Sequence, residues 1–152
     1  MAGEADVEAV AGLWELMAGQ HREYDPEVWC WSQDAPFHWA QWYTGLLGRE
    51  EYVLPLAVTP EGRIVGFAIS VVKDNPSIFA IERAGEVWDL LVHPDVRGQG
   101  VGQALMEWSF AELQRLGAQD VKLHVALANQ AAVKLYEKLG MRPVMYRMYK
   151  RF

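Results

Sequence analysis

Apolar positions recur every three to four residues between Asp6 and about Gln20. Val7, Val10, Leu13, Trp14 and Met17 form one stripe, and Asp6 stands where a capping side chain is wanted. A second helix is expected from about Pro36 to Leu47, ended by Gly48. Tyr52 to Thr59 and Arg63 to Val72 read as strands joined by the turn Pro60-Glu61-Gly62, an antiparallel hairpin. Residues 77–83 (SIFAIER) read as a strand end or a flap. From Glu86, the residues Val87, Leu90, Leu91 and Val92 are apolar on both faces, as in a strand covered on both sides, and Pro94 ends it. A helix follows from about Val101 to Leu116, with Val101, Ala104, Leu105, Trp108, Leu113 and Leu116 at helical spacing and Gly117 as its stop. Val121 to Leu127 reads as a strand, Asn129 to Leu139 as a helix stopped by Gly140, and Val144 to Tyr149 as a final strand behind Arg142-Pro143. The strands from Glu86 and Val121 are joined through a helix, which makes them parallel. The pattern predicts an α/β fold with a mixed sheet, in one domain spanning residues 1–152.

Composition narrows the class. A hydrophobic content of 51% excludes a disordered chain, and no apolar run approaches the length of a membrane span. The opening MAGEADVEA is acidic, unlike a secretory signal. One cysteine, Cys30, rules out an internal disulfide framework and paired-cysteine metal sites. Cytoplasmic placement, no metal and no membrane partner are therefore expected. A net charge of −6 argues against nucleic acid as a partner, whose electrostatic footprint is basic. Residues 1–51 hold ten acids and two bases, which leaves +2 for the remainder. The second part of the chain suits an anionic ligand, and the acidic first part suits a cationic amine or is simply a solvated surface.

The unit with most chemical content is EVWDLLVHPDVRGQGVGQALM, residues 86–106. It is a strand, a glycine turn and a helix start. The first amides of a helix have no partner within it and carry partial positive charge, and glycines let a ligand approach the backbone. Together they form a phosphate site, or else the glycines only let helix and strand pack closely. The Walker pattern fails, because Gly102 is followed by Gln103 and Ala104. The dinucleotide pattern G-x-G-x-x-G fails at Gln103 and Leu105.

Arg97, Gly100 and Gly102 do match Arg/Gln-x-x-Gly-x-Gly/Ala. With the preceding LLVHPDVRG, the segment resembles the acetyl-CoA-binding stretch of the GNAT superfamily of N-acetyltransferases. Downstream, Asn129, Ala132, Leu135, Tyr136, Gly140 and Met141 resemble the superfamily's block N-x-x-A-x-x-L-Y-x-x-x-G-F/M. The resemblance covers roughly residues 60–145. It implies the GNAT fold, a central, mostly antiparallel mixed sheet with helices on both faces and a splayed parallel strand pair holding acetyl-CoA as co-substrate. It places the pantetheine arm against the backbone of Leu90, Leu91 and Val92, and the pyrophosphate over Arg97, Gly98, Gln99, Gly100, Val101, Gly102 and Gln103. Asn129 caps the last helix and, with Ala132 and Tyr136, adjoins the cofactor.

The implied reaction is direct attack of a neutral amine on the thioester in a ternary complex. It needs a base, an oxyanion donor and an acid for the leaving thiolate. The resemblance points to a backbone N–H near Leu91 or Val92 as donor and to Tyr136 as acid. Glu86 and Asp89 both match acidic positions used in branches of the superfamily. Strand alternation puts them on opposite faces unless a bulge intervenes. His93 and His124 are expected to be structural.

Tyr24, Trp29, Trp31, Phe37, Trp39, Trp42 and Tyr43 crowd into 20 positions. They bind an organic cation, pack the first two helices, or bury a homodimer surface. Cys30 is expected to be a packed thiol rather than a nucleophile. The acceptor expected is a cationic small molecule, polyamine-like or aminoglycoside-like, or a lysine or peptide amine. The competing classes are a non-catalytic acyl-CoA-binding regulatory domain and a Rossmann-type nucleotide protein.

Overall fold

A computed structural model describes all 152 residues. A 3-10 turn at Glu4–Asp6 leads into helix α1 (Val7–Tyr24), followed by α2 (Ala35–Thr44). Strands β1 (Tyr52–Val53), β2 (Leu56–Val58), β3 (Ile64–Asp74) and β4 (Arg83–Val92) come next. A 3-10 turn at Pro94–Val96 precedes α3 (Val101–Arg115), β5 (Asp120–Leu123) and α4 (Gln130–Lys138). No helix is long and apolar enough to cross a membrane.

The sheet is built on β3, the longest strand, whose residues 65–72 are all buried. β1 and β2 pair antiparallel along one edge of β3, β4 pairs antiparallel along the other, and β5 joins β4 in parallel. The two predicted parallel strands are these last two. β1 and β2 share one register against β3 (Val53↔Ser70, Leu56↔Phe67) and form the single predicted strand, interrupted at Leu54-Pro55. Thr59 and Arg63 close the hairpin, as the turn residues imply.

Each face of the sheet has its own core. Phe67, Ile69 and Leu91 meet Val10, Leu13, Trp14, Met17 and Tyr43 of α1 and α2. On the opposite face Val53, Val72 and Val87 meet Met106 and Leu113 of α3. Gly66 decides how closely α3 lies on the sheet. A Cβ there would stand 2.9 Å from the Leu91 carbonyl oxygen and 3.2 Å from Leu105 Cδ1.

Several predicted elements differ. Asp6 does not cap α1, because its Oδ2 accepts from the Gly3 N–H at 2.9 Å and closes the preceding 3-10 turn instead. No strand precedes α1, and Ala2 N–H donates to the Leu54 carbonyl at 3.0 Å as the one strand-like contact there. Residues 77–82 form no strand; they belong to a loop closed by Asn75 N–H on the Glu82 carbonyl at 2.7 Å. Strand β5 stops at Leu123 rather than Leu127, because β4 no longer runs beside it. Val144–Tyr149 is not a strand: residues 141–152 hold no regular structure, since no strand edge lies alongside to supply a ladder. Cys30 is exposed, not packed.

The Gly66→Ala variant is expected to lose about 1–3 kcal/mol, because the added methyl meets backbone rather than a flexible side-chain end. That corresponds to a melting point lower by roughly 2–4 °C per kcal/mol, measured by thermal denaturation followed by circular dichroism. An unchanged midpoint would show that α3 does not depend on this close approach.

Candidate active site

The site begins where two strands part. β5 pairs β4 from Ala84↔Asp120 to Val87↔Leu123 and no further. From Trp88 to Val92 the outer edge of β4 has no partner strand. Backbone direction alternates along a strand, and His93 N–H donates to Val65 in the β3 segment at 2.8 Å. Leu91 N–H is therefore directed toward β3, while Leu90 and Val92 direct theirs into the gap. The Val92 carbonyl on the same side accepts from Arg97 Nε at 2.9 Å. Arg97 thus braces the mouth of the gap through the backbone as well as lending charge.

The glycine turn lies beyond that mouth. Gly98 and Gly100 have φ of 75° and 84°, a region that L side chains rarely adopt. A Cβ at either would meet nothing within 4 Å, so the turn is open on its outer side. The N–H groups of residues 98–100 make no backbone hydrogen bond, and those of Val101, Gly102 and Gln103 open α3 without an intrahelical partner. This arrangement fits a pyrophosphate. Gly102 also lets α3, β4 and α4 meet, with Leu135 Cδ2 and Val92 Cγ2 each 3.4 Å from the position of a Cβ.

One cation at this turn was not singled out in the sequence. Lys138, in the last turn of α4, donates from Nζ to Gln103 Oε1 at 2.8 Å, and Gln103 Nε2 donates to Glu107 at 2.8 Å. A lysine in a final helical turn is ordinary, and only packing of α4 beside α3 brings it to the glycine turn. Asn129 caps α4 as expected, its Oδ1 accepting from Ala132 N–H at 3.2 Å. His93 Nδ1 accepts from Asp95 N–H at 3.3 Å, a turn-forming role.

A bulge sets the face on which the two carboxylates of β4 lie. The register of β3 against β4 shifts between Ile69↔Asp89 and Ser70↔Val87, so Trp88 is an extra residue. The bulge places Glu86 and Asp89 on the same face, opposite Val71 and Ile69, rather than on opposite faces. Their environments differ sharply. Glu86 Oε2 accepts from Lys73 Nζ at 2.6 Å and Trp88 Nε1 at 2.9 Å, and these bonds hold its carboxyl below the ordinary glutamate range. Asp89 is half-buried, and loss of hydration raises its pKa to about 6, partly opposed by a hydrogen bond from Trp39. Tyr136 is pushed up to about 12 by burial and by the nearby Asp89 charge. The fold therefore brings Asp89 and Tyr136 within electrostatic reach, with Glu86 committed to its own ion pair.

Part of the aromatic cluster is core: Tyr43 is buried and Trp31 and Trp39 pack beside it, while Phe37 and Trp42 are exposed. Trp14 packs on Trp39 at 5.3 Å and Trp31 at 5.5 Å, and Trp39 stacks on Tyr43 at 5.1 Å. Trp88, on the bulge, meets Trp42 and Tyr52, each at 5.7 Å. Two cations of the chain itself already use these rings: Lys73 lies 4.7 Å over Trp88 and Arg49 lies 4.8 Å over Tyr52.

Comparison with known proteins places the chain in a family. Residues 12–141 match the acetyltransferase (GNAT) family. The chain is 32% identical over 127 residues to the [ribosomal protein bS18]-alanine N-acetyltransferase of Escherichia coli K12, across 83% of this chain and 74% of that protein. Its fold superposes on a tetramutant of the BH1408 protein from Bacillus halodurans with a TM-score of 0.87, at 19% identity and over 99% and 97% of the two chains. It also superposes on AAC(6')-Iy bound to the bisubstrate analogue CoA-S-monomethyl-acetylneamine, with a TM-score of 0.71, 17% identity, and 98% and 92% of the chains. The chain belongs to the GNAT acetyltransferase family. It is an acetyl-CoA-dependent N-acetyltransferase with the α/β fold and splayed strand pair of that family, which sets aside the regulatory and nucleotide-binding alternatives.

A raised carboxyl pKa lowers stability wherever the unfolded chain would be ionised. The neutral form is favoured in the fold, so the cost of Asp89 is absent below about pH 4, grows to about pH 6 and stays thereafter. The Asp89→Asn variant is therefore expected to be more stable than wild type at pH 8, by about 1–3 kcal/mol, and equal to it at pH 4. Urea denaturation at the two pH values reads this, and a variant less stable at pH 8 would place Asp89 in a compensating contact.

Proposed function

We propose that the protein transfers the acetyl group of acetyl-CoA to a cationic primary amine by direct attack in a ternary complex, with Asp89 as base and Tyr136 as acid. What supports this reading is that Asp89 lies on the stretch of β4 that β5 does not cover, its carboxyl raised to about 6 by burial, and that Tyr136, raised to about 12 chiefly by burial, also feels the Asp89 charge. An ammonium acceptor gives up one proton, directly or through water, to the Asp89 carboxylate, whose pKa of about 6 suits transfer near neutral pH. The amine nitrogen then bonds to the acyl carbon and the carbon–sulfur bond breaks. Val92 N–H, with Leu90 N–H next along the same edge, supplies the donor for the developing oxyanion. Tyr136 remains protonated far above neutral pH, gives its proton to the departing sulfur and is reprotonated, through water, by the second proton that the acetylated nitrogen releases. Glu86 positions Trp88 and Lys73 rather than taking a proton.

The nucleotide end of acetyl-CoA rests on the amides from Gly98 to Gln103, with Arg97 and Lys138 adding positive charge. A peptide-borne amine heads the acceptors to test, on the strength of the ribosomal-protein acetyltransferase relative and the acidic first 51 residues. Polyamine-like and aminoglycoside-like amines share the same charge. The reading includes a cytoplasmic site of action, which suits a protein with one free, exposed cysteine.

The direct test is CoA release against a panel of an alanine-initiated peptide, a lysine peptide, spermidine, an aminoglycoside and acidic amines. Turnover confined to the acidic acceptors would overturn the acceptor class. Parallel rather than intersecting initial-rate lines would overturn the ternary complex. Tyr136→Phe is expected to lower kcat by roughly a hundredfold or more with acetyl-CoA affinity retained. In wild type kcat/KM should rise with pH through about 6 from the Asp89 limb, and Asp89→Asn should lose that limb with most of the rate. Lys138→Ala should raise the KM for acetyl-CoA several-fold while kcat holds, and an unchanged KM would remove Lys138 from the site.

A further inference from the structure

The bulge carries a cation site that the chain fills with its own side chain. Lys73 Nζ lies 4.7 Å from the centre of the Trp88 ring and donates to Glu86 Oε2 at 2.6 Å. The Trp88 indole N–H donates to the same oxygen at 2.9 Å, which locks ring and carboxylate together. Both bonds favour the ionised carboxyl. An aromatic face beside a fixed carboxylate is a half-cage suited to any ammonium or guanidinium. Trp42 and Tyr52, each 5.7 Å from Trp88, extend its wall.

The cage adjoins Asp89 and is open. Glu86 and Asp89 lie on one face, opposite Val71 and Ile69, so their backbone positions are about 7 Å apart along the sheet. The side chain of Glu86 is 37% exposed and that of Lys73 48%. Lys73 Nζ makes no other hydrogen bond, and exposed ion pairs contribute little to stability, so the lysine is free to leave. Other cations nearby are committed elsewhere. Lys122, opposite Glu86 on β5, pairs with Asp120 at 3.4 Å, and Arg49, over Tyr52, pairs with Glu51.

We propose that the Trp88–Glu86 cage is a second acceptor subsite with Lys73 as its built-in occupant, which a substrate's second positive charge displaces while the reacting amine stands at Asp89. The inference rests on the reading of Asp89 and of a cationic acceptor given above. The ligand chemistry is a primary amine joined by a short spacer to an ammonium or guanidinium, carried by a small molecule or by a peptide with a basic second residue. Displacement exchanges one cation for another, so Glu86 is never left without a partner. An acceptor with a single charge leaves Lys73 in place and gains nothing from the cage. A dication gains the cage but binds more weakly than it would to an empty one, in proportion to the time Lys73 occupies it. Lys73 thereby sets how strongly the enzyme separates dications from monocations.

The test uses two matched pairs of acceptors, butylamine against aminobutylguanidine, and an alanine-initiated tripeptide amide with alanine second against the same peptide with arginine second. The guanidinium adds charge without a second acceptor amine, and the pair that responds identifies the source. In each protein the KM of the dication is divided by that of its monocation. Wild type should give a ratio below one. Lys73→Met keeps the apolar stem and empties the cage, and should lower the ratio a further several-fold. Glu86→Gln should raise it toward one, with circular dichroism reporting the fold of both variants. A ratio that fails to fall in Lys73→Met, or fails to rise in Glu86→Gln, with both pairs overturns the proposal. Calorimetric titration of the same acceptors into the CoA complex reads the ratio as affinities, without turnover. Absence of turnover with every amine therefore overturns the acceptor reading alone, and the subsite stands or falls on the titration.

Discussion

The separation of β4 from β5 after Val87 and Leu123 is the constraint on which the rest of the site depends. A parallel pair that continued would consume the amides of Leu90 and Val92 in a ladder. Because it stops, five residues of strand edge remain available to a ligand's amides and carbonyl. The same separation makes room for Tyr136 to approach from α4. It also leaves residues 124–127 without a strand neighbour on the β4 side.

The bulge at Trp88 acts on the same strand in another way. One added residue turns Asp89 to the face of α1 and α2 and brings it beside Trp39, where water is scarce. The result is a carboxyl held near neutral pKa at a cost to stability, next to a tyrosine that stays protonated. Three residues earlier Glu86 has an identical charge and the opposite fate, because Lys73 and the Trp88 indole satisfy it. Two carboxylates on one strand face thus differ in ionisation, Glu86 through its hydrogen-bond partners and Asp89 through loss of hydration.

The aromatic residues near the N-terminus divide on similar grounds. Trp14, Trp39 and Tyr43 are core because α1 and α2 close over the sheet at these positions. Trp42, Tyr52 and Trp88 gather around the bulge, where Lys73 and Arg49 take the ring faces that an external cation would have used.

Local pattern determined a large part of this protein. The strand–glycine turn–helix unit, the antiparallel hairpin and the capping of α4 by Asn129 depend on spacing along the chain, and spacing is readable in a single sequence. Tertiary structure alone decided the remainder. The bulge that turns Asp89 comes from a register shift between two strands, and no residue of β4 announces it. Lys138 reaches the glycine turn only because α4 lies beside α3. Val144–Tyr149 has the alternation of a strand yet forms none, because alternation describes which faces a segment would bury, whereas a strand also requires a neighbour to bond.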